Sequence, residues 1–213
     1  MLANKFNELL SNDKLLDDVE SKNIEDILNK HLITMNDLPN YLGLGLSALR
    51  RLFLHQNGDF SEVNYDINSI DFIPRKDEKL YLFLPMKMYQ TRVKTEYEGG
   101  SVGGSIRIAK GFSLRASSFK GRPIRTEYLN YECSGTIYVT NKRIVFNGDR
   151  SIVYPLNKIT RFNYDNEFLY INKGNQEKEI IYKLVLYDSP NMNKATYLMY
   201  KELILIISHL LQQ

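Results

Sequence analysis

The sequence predicts an α+β protein: a small helical N-terminal module over residues 1–56, a linker over 57–79, and an antiparallel β-barrel or sandwich over 80–213 capped by a C-terminal helix. Three observations predict it. Apolar residues recur every three to four positions before residue 56; from Leu80 the pattern changes to short apolar runs and alternation; after Pro190 it returns to helical spacing. The 213 residues suit one large domain or two small ones. With 43% hydrophobic and 25% charged residues the composition is that of a globular chain, which excludes disordered and fibrous classes.

In the front third, Asn23 precedes Ile24, Ile27, Leu28 and Leu32, so it reads as the cap of a first helix with Glu25 and Asp26 in its first turn. Asp37 ahead of Leu38 and Pro39 starts a second helix, carried on by Leu42, Leu46, Leu49 and Phe53. Gly43 and Gly45 would each cost about 1 kcal/mol inside a helix, so the spacing predicts a break near Gly43 and two short helices. With Gly43 as the turn, Leu38, Leu42, Leu44, Leu49 and Leu52 fill the apolar positions of a helix-turn-helix. The stretch resembles phage-repressor-like DNA-binding proteins, which implies a recognition helix over 45–51 offering Ser47, Arg50 and Arg51. Pro39 stands where those proteins usually have a small alanine, and residues 1–86 hold 14 acidic against 9 basic residues, a poor setting for phosphate contacts. On the DNA reading the chain is a regulator whose β domain senses or dimerises; the competing reading is a helical module that packs on the β domain or docks a partner.

The back two thirds divides into short strands. Residues 80–84 form an apolar run that Pro85 ends, and 91–98 alternate before Gly99 and Gly100. Further strands fall at 105–109, 112–116, 124–131, 136–140, 143–147, 151–154, 159–164, 168–172 and 180–187, with turn residues at 120–122, 147–149, 165–166 and 173–175. A terminal helix over 192–211 gathers Leu198, Leu203, Ile206, Ile207 and Leu210 on one face, which must be buried against the β layer.

The stretch Gly-Thr-Ile-Tyr-Val-Thr-Asn-Lys-Arg-Ile-Val-Phe at 135–146 resembles the signature of the GRAM family and related bacterial pleckstrin-homology-like (PH-like) domains, and 152–159 resembles their next strand and turn. The resemblance implies a barrel-like pair of sheets capped by the last helix, and a binding or scaffolding module rather than an enzyme. On the residues themselves, Asn141 suits a tight turn, Lys142 and Arg143 keep its tip wet, and Ile137, Val139, Ile144 and Phe146 alternate toward the core.

Charge is concentrated in the middle, where residues 87–125 hold nine Lys and Arg against two acidic residues. Arg107, Lys110, Arg115, Lys120, Arg122 and Arg125, with Lys142 and Arg143 in the signature turn, are the candidate anion-binding residues, for an anionic lipid surface or a protein partner ahead of nucleic acid. The alternative is a set of solvated strand faces. The glycines at 99–104 lack the Gly-Lys-Ser/Thr of a nucleotide loop and read as a hairpin tip or bulge. His31, His55 and His209 have no ligand spacing, Cys133 has no histidine nearby and reads as a buried thiol, and the Asp17-Asp18 and Asp77-Glu78 pairs read as solvated. No catalytic constellation, cofactor or metal is expected. A single cysteine, no signal-peptide pattern at residues 1–8 and no apolar run near the roughly 18 residues of a membrane span lead to the expectation of a cytoplasmic protein, free or peripheral at a membrane.

Overall fold

The structure, a computed structural model, describes residues 4, 6, 8, 9, 15–60, 70–98, 101–109, 112–119, 122–174 and 179–213, with the backbone only at 101–109 and 112–119. Helices α1 (Asp18–Lys30) and α2 (Asn40–Gln56) precede nine strands, and α3 (Pro190–Leu210) closes the chain. Seven strands form one antiparallel sheet: β1 (Leu80–Glu98), β4 (Arg122–Thr140), β5 (Arg143–Gly148), β6 (Ser151–Pro155), β7 (Ile159–Tyr164), β8 (Phe168–Lys173) and β9 (Ile180–Leu184). The remaining two, β2 (Ser101–Ala109) and β3 (Phe112–Phe119), pair with each other. The sheet order β6-β5-β4-β1-β9-β8-β7 is two meanders joined through β1 and β9, and it curls into a half-barrel that α3 fills. The fold is α+β, as the periodicity predicts.

Alternation along β1 sends Leu82, Leu84, Met86 and Met88 inward to meet Ile137, Val139, Ile144, Phe146, Leu169, Ile171 and Tyr182. Tyr200, Leu203, Ile206, Ile207 and Leu210 of α3 complete this core, and the Tyr154 and Tyr182 hydroxyls bond to each other inside it at 2.6 Å. Burial drives both phenols well above the ordinary tyrosine range, which keeps them neutral. The opposite side of α3 offers Leu198 to a second core with Phe6, Leu16, Ile24, Leu28, Leu42, Leu46, Leu49 and Leu52. The last helix is therefore apolar on two sides because it lies between two layers, and the N-terminal helices share its packing with the barrel.

Several local expectations are corrected. α1 begins at Asp18, not after Asn23, because Asp17 and Glu20 make a reciprocal capping box: Asp17 Oδ1 accepts from the Glu20 N–H at 2.8 Å. α2 runs unbroken through Gly43 and Gly45, so the turn of a helix-turn-helix is absent. Glycine is used there for closeness, since a Cβ at Gly43 would stand 3.0 Å from the Met35 carbonyl oxygen. Pro85 does not end the first strand; it sits one residue beyond Met86, the first β1 residue paired with β9, so on that side its missing N–H breaks no ladder bond. The strands expected at 124–131 and 136–140 are one strand, β4, and residues 101–104 belong to β2 rather than a hairpin tip. Gly135 lies within β4 opposite Gly148, where a Cβ would collide with the Asn147 carbonyl and the Phe146 ring. β9 stops at Leu184, and α3 starts two residues early on a Ser189 cap with Pro190 in its first turn.

The described parts of the expected linker are docked. Phe60 is stacked between His55 and His209, with ring centroids 4.6 and 4.0 Å away. Residues 70–79 form a strap over the outer face of the sheet, where Phe72 packs on Tyr138 and Val145. Lys142 and Arg143, two of the anion-binding candidates, lie in the signature turn, which clasps this strap. Arg143 donates Nε to Glu78 Oε1 at 2.8 Å and Nη2 to Oε2 at 3.0 Å, and its guanidinium stands 5.6 Å over the Phe72 ring. Asn141 Oδ1 accepts from the Lys79 N–H at 2.8 Å, and Lys142 Nζ reaches the Lys76 carbonyl. Glu78, read from sequence as solvated, is a buried carboxylate.

Burial disfavours Glu78 ionisation, but hydrogen bonds from Arg143, the Arg75 N–H and Thr140 outweigh it and hold the carboxyl below its ordinary 4.5. The stability this ionisation contributes is complete above that ordinary value and is lost as pH falls through the lowered one. Arg143→Ala is expected to cost about 3 kcal/mol in urea unfolding at neutral pH, since it strands a buried carboxylate. The variant should also lose less further stability than wild type on acidification, its glutamate being no longer held ionised.

Candidate functional site

β1 and β4 are each 19 residues long, far beyond the reach of their neighbours. β9 pairs β1 only from Met86 to Gln90, and β5 pairs β4 only from Gly135 to Val139. Past those points the two strands continue together, from Thr91↔Leu129 to Glu98↔Arg122, as a two-stranded ribbon, and β2 and β3 form the hairpin in the chain between them. The ribbon is exposed on both faces over 92–98 and 122–129. A two-stranded ribbon with no third layer is marginal in water, so this arm has backbone pairing without a core.

The base of the arm is fastened. Glu132, whose side chain is 8% exposed, accepts from Arg92 Nη2 at 2.8 Å and Asn130 Nδ2 at 2.9 Å, and Arg150 lies 3.7 Å away. The Arg92 and Asn130 hydrogen bonds hold the Glu132 carboxyl below its usual range. Lys94 is matched by Glu96 at 2.6 Å, and these two shift each other in the charged direction. Beyond them, Arg122 lies opposite Glu98 and Arg125 opposite Thr95, both exposed, and neither is ion-paired among the described residues. On the hairpin, Arg115 is opposite Ser105 and Arg107 opposite Ser113, which makes the two arginine positions diagonal neighbours in the ladder. Lys110 and Lys120 lie outside the described residues. The structure thus places four of the eight candidates, Arg107, Arg115, Arg122 and Arg125, on two successive hairpin ladders, and Lys142 and Arg143 at the opposite end of β4, against the strap.

Sequence reasoning missed the apolar half of this surface. Val93, Tyr97, Ile124, Tyr128 and Leu129 are all between two fifths and two thirds exposed, interleaved with the arginines. The alternation was visible, but a strand with apolar residues implies a buried face unless its neighbours are known to stop short. Each face of the ribbon presents a cation beside apolar side chains to an external surface, Arg122 with Ile124 and Tyr128 on one and Arg125 with Val93 and Leu129 on the other.

Two of the three DNA-reading candidates are engaged within the fold. Arg50 Nη2 is 2.8 Å from Asp18 Oδ1, and Arg51 forms a fork on Glu202 of α3, Nε to Oε1 at 2.6 Å and Nη2 to Oε2 at 3.0 Å. Glu202 is fully buried, and His55 Nε2 stands 3.3 Å from the same carboxylate while its Nδ1 donates to the Asp59 carbonyl at 3.0 Å. Ser47 is half-buried beside an apolar cleft of about 400 Å³ between α2, β1 and the start of α3. Cys133 is buried in β4, and among the described residues no group of His, Cys, Asp or Glu is arranged to hold a metal ion. No described helix is long and apolar enough to cross a membrane. Comparison of the chain with protein-family models and with curated proteins finds no match in either.

Proposed function

We propose that this chain is a non-catalytic binding protein on a PH/GRAM-like scaffold, and that its β-arm lies on an anionic membrane surface. The observation that carries the reading is the exposed ribbon, which sets Arg122 beside Ile124 and Tyr128 on one face and Arg125 beside Val93 and Leu129 on the other, both arginines unpaired among the described residues. Each cation near an anionic leaflet is worth roughly 1 kcal/mol, and tyrosine favours the headgroup level. A membrane also supplies the apolar layer that the two-stranded arm lacks. The two meanders joined through β1 and β9, the closing helix, and the glycine at 135 ahead of the Thr-Asn-Lys-Arg turn support the scaffold assignment. Engagement of Arg50 and Arg51 within the fold favours the arm over α2 as the contact surface.

Co-sedimentation tests the reading. The protein is expected to bind phosphatidylcholine vesicles containing about one third phosphatidylserine at low salt, to release as salt rises, and to ignore pure phosphatidylcholine. Changing Arg122 and Arg125 together to alanine should weaken binding roughly tenfold or more. If wild-type protein ignores the acidic vesicles, a protein partner becomes the favoured reading, and salt-sensitive duplex binding lost on the same substitutions would move it to a nucleic-acid-binding class.

A further inference from the structure

We infer that the β7 edge of the barrel, together with the groove beside the end of α3, accepts an extended acidic segment of another protein as an added strand. This goes beyond the membrane reading and uses none of the arm. β7 ends the sheet order, so one side of it has no strand neighbour among the described residues. The Asp165 N–H donates to the Phe168 carbonyl at 2.9 Å, which fixes the parity of the β7–β8 ladder: Asn163 and Arg161 turn toward their partners Tyr170 and Asn172, while Phe162 and Tyr164 turn amide and carbonyl away from β8. Those outward groups have no partner among the described residues. An antiparallel strand laid along them gains up to four main-chain hydrogen bonds. The other edge is a poorer acceptor, because β6 ends in Pro155 and its Val153 carbonyl is already taken by Lys173.

Beside β7 runs a groove of about 440 Å³ lined by Leu156, Ile159, Phe162, Leu210 and Leu211. A residue facing Phe162 on an added strand shares its side of the sheet and is directed at this groove; the next residue faces Arg161. Arg161 and Lys158 are exposed and have no ion-pair partner among the described residues. The edge therefore selects an alternation of apolar and acidic residues. A second copy of this chain is disfavoured as the occupant, since pairing β7 with β7 brings two cationic edges together. A register shift at Thr160 limits the regular edge to Arg161–Tyr164, so the added strand is short.

The probe is a blocked seven-residue peptide alternating valine and glutamate, titrated into the isotope-labelled full chain and followed by amide chemical shifts. Saturable shifts at the Phe162 and Tyr164 amides are expected. Tyr164→Pro, which removes one outward N–H at an edge position, and Arg161→Glu, which reverses the charge, should each weaken binding at least tenfold. The same peptide N-methylated on alternate amides should not bind, whereas the Arg122→Ala, Arg125→Ala protein should bind normally. Should Tyr164→Pro not fold, the exposed Arg161→Glu and the methylated peptide still decide the matter. Absence of saturable shifts at millimolar peptide, equal binding of the methylated peptide, or shifts confined to another edge would overturn the inference.

Discussion

Arg51→Ala is expected to destabilise the protein by about 3 to 5 kcal/mol, because it removes the guanidinium that grips both oxygens of the fully buried Glu202 carboxyl. Domains of this kind are stable by only about 5 to 15 kcal/mol, so the loss shows as a large fall in urea midpoint and melting temperature. His55 remains beside Glu202 and offsets part of the damage. If the penalty comes from a stranded charge rather than from lost packing, Arg51→Met combined with Glu202→Met should recover most of the stability, since a well-packed apolar pair can replace a buried ion pair at little cost. A double variant as unstable as Arg51→Ala would assign the effect to packing.

Leu46→Asp should be equally severe, at more than about 4 kcal/mol. Leu46 is fully buried in the core that α2 and α1 build against Leu198 of α3, and an aspartate there loses its hydration with no donor to replace it. Leu46→Ala, which leaves a cavity but no charge, is expected to cost about 2 to 5 kcal/mol and to keep the fold. Amide hydrogen exchange checks the mechanism: in Leu46→Asp, protection should fall in α1, in α2 and along α3 together, because α3 belongs to both cores. Protection lost in α1 and α2 while α3 keeps its own would mean that the N-terminal helices are a separable module, as the sequence first suggests.

Most element types were legible because burial imposes a period. The inward row from Leu82 to Met88 and the apolar stripe of α3 announced themselves, as did the turns after β5 and β7. What was hidden depends on neighbours distant in sequence. Glycine at 43 reads as a helix breaker until Met35 is seen lying against it, and Pro85 reads as a strand end until β9 is seen to stop short. Arg143 reads as a wet turn residue because Glu78 lies 65 residues away, and Arg51 as a base reader because Glu202 lies 151 away. The candidate site was half legible: the basic excess between residues 87 and 125 is written in the chain, but only the ladder shows that Arg122 and Arg125 share a ribbon with exposed Ile124 and Tyr128.

The chain has no tryptophan, so a single one introduced as Tyr128→Trp reports on the arm alone. With phosphatidylserine-containing vesicles its emission should shift to shorter wavelength and become shielded from a water-soluble quencher, because an aromatic at the headgroup level leaves bulk water. A control tryptophan at exposed Tyr187, away from the ribbon, should stay unchanged. Protein that binds these vesicles while the Tyr128→Trp emission stays fixed, or while the Tyr187→Trp emission moves instead, would contradict the assignment of the β-arm as the membrane contact.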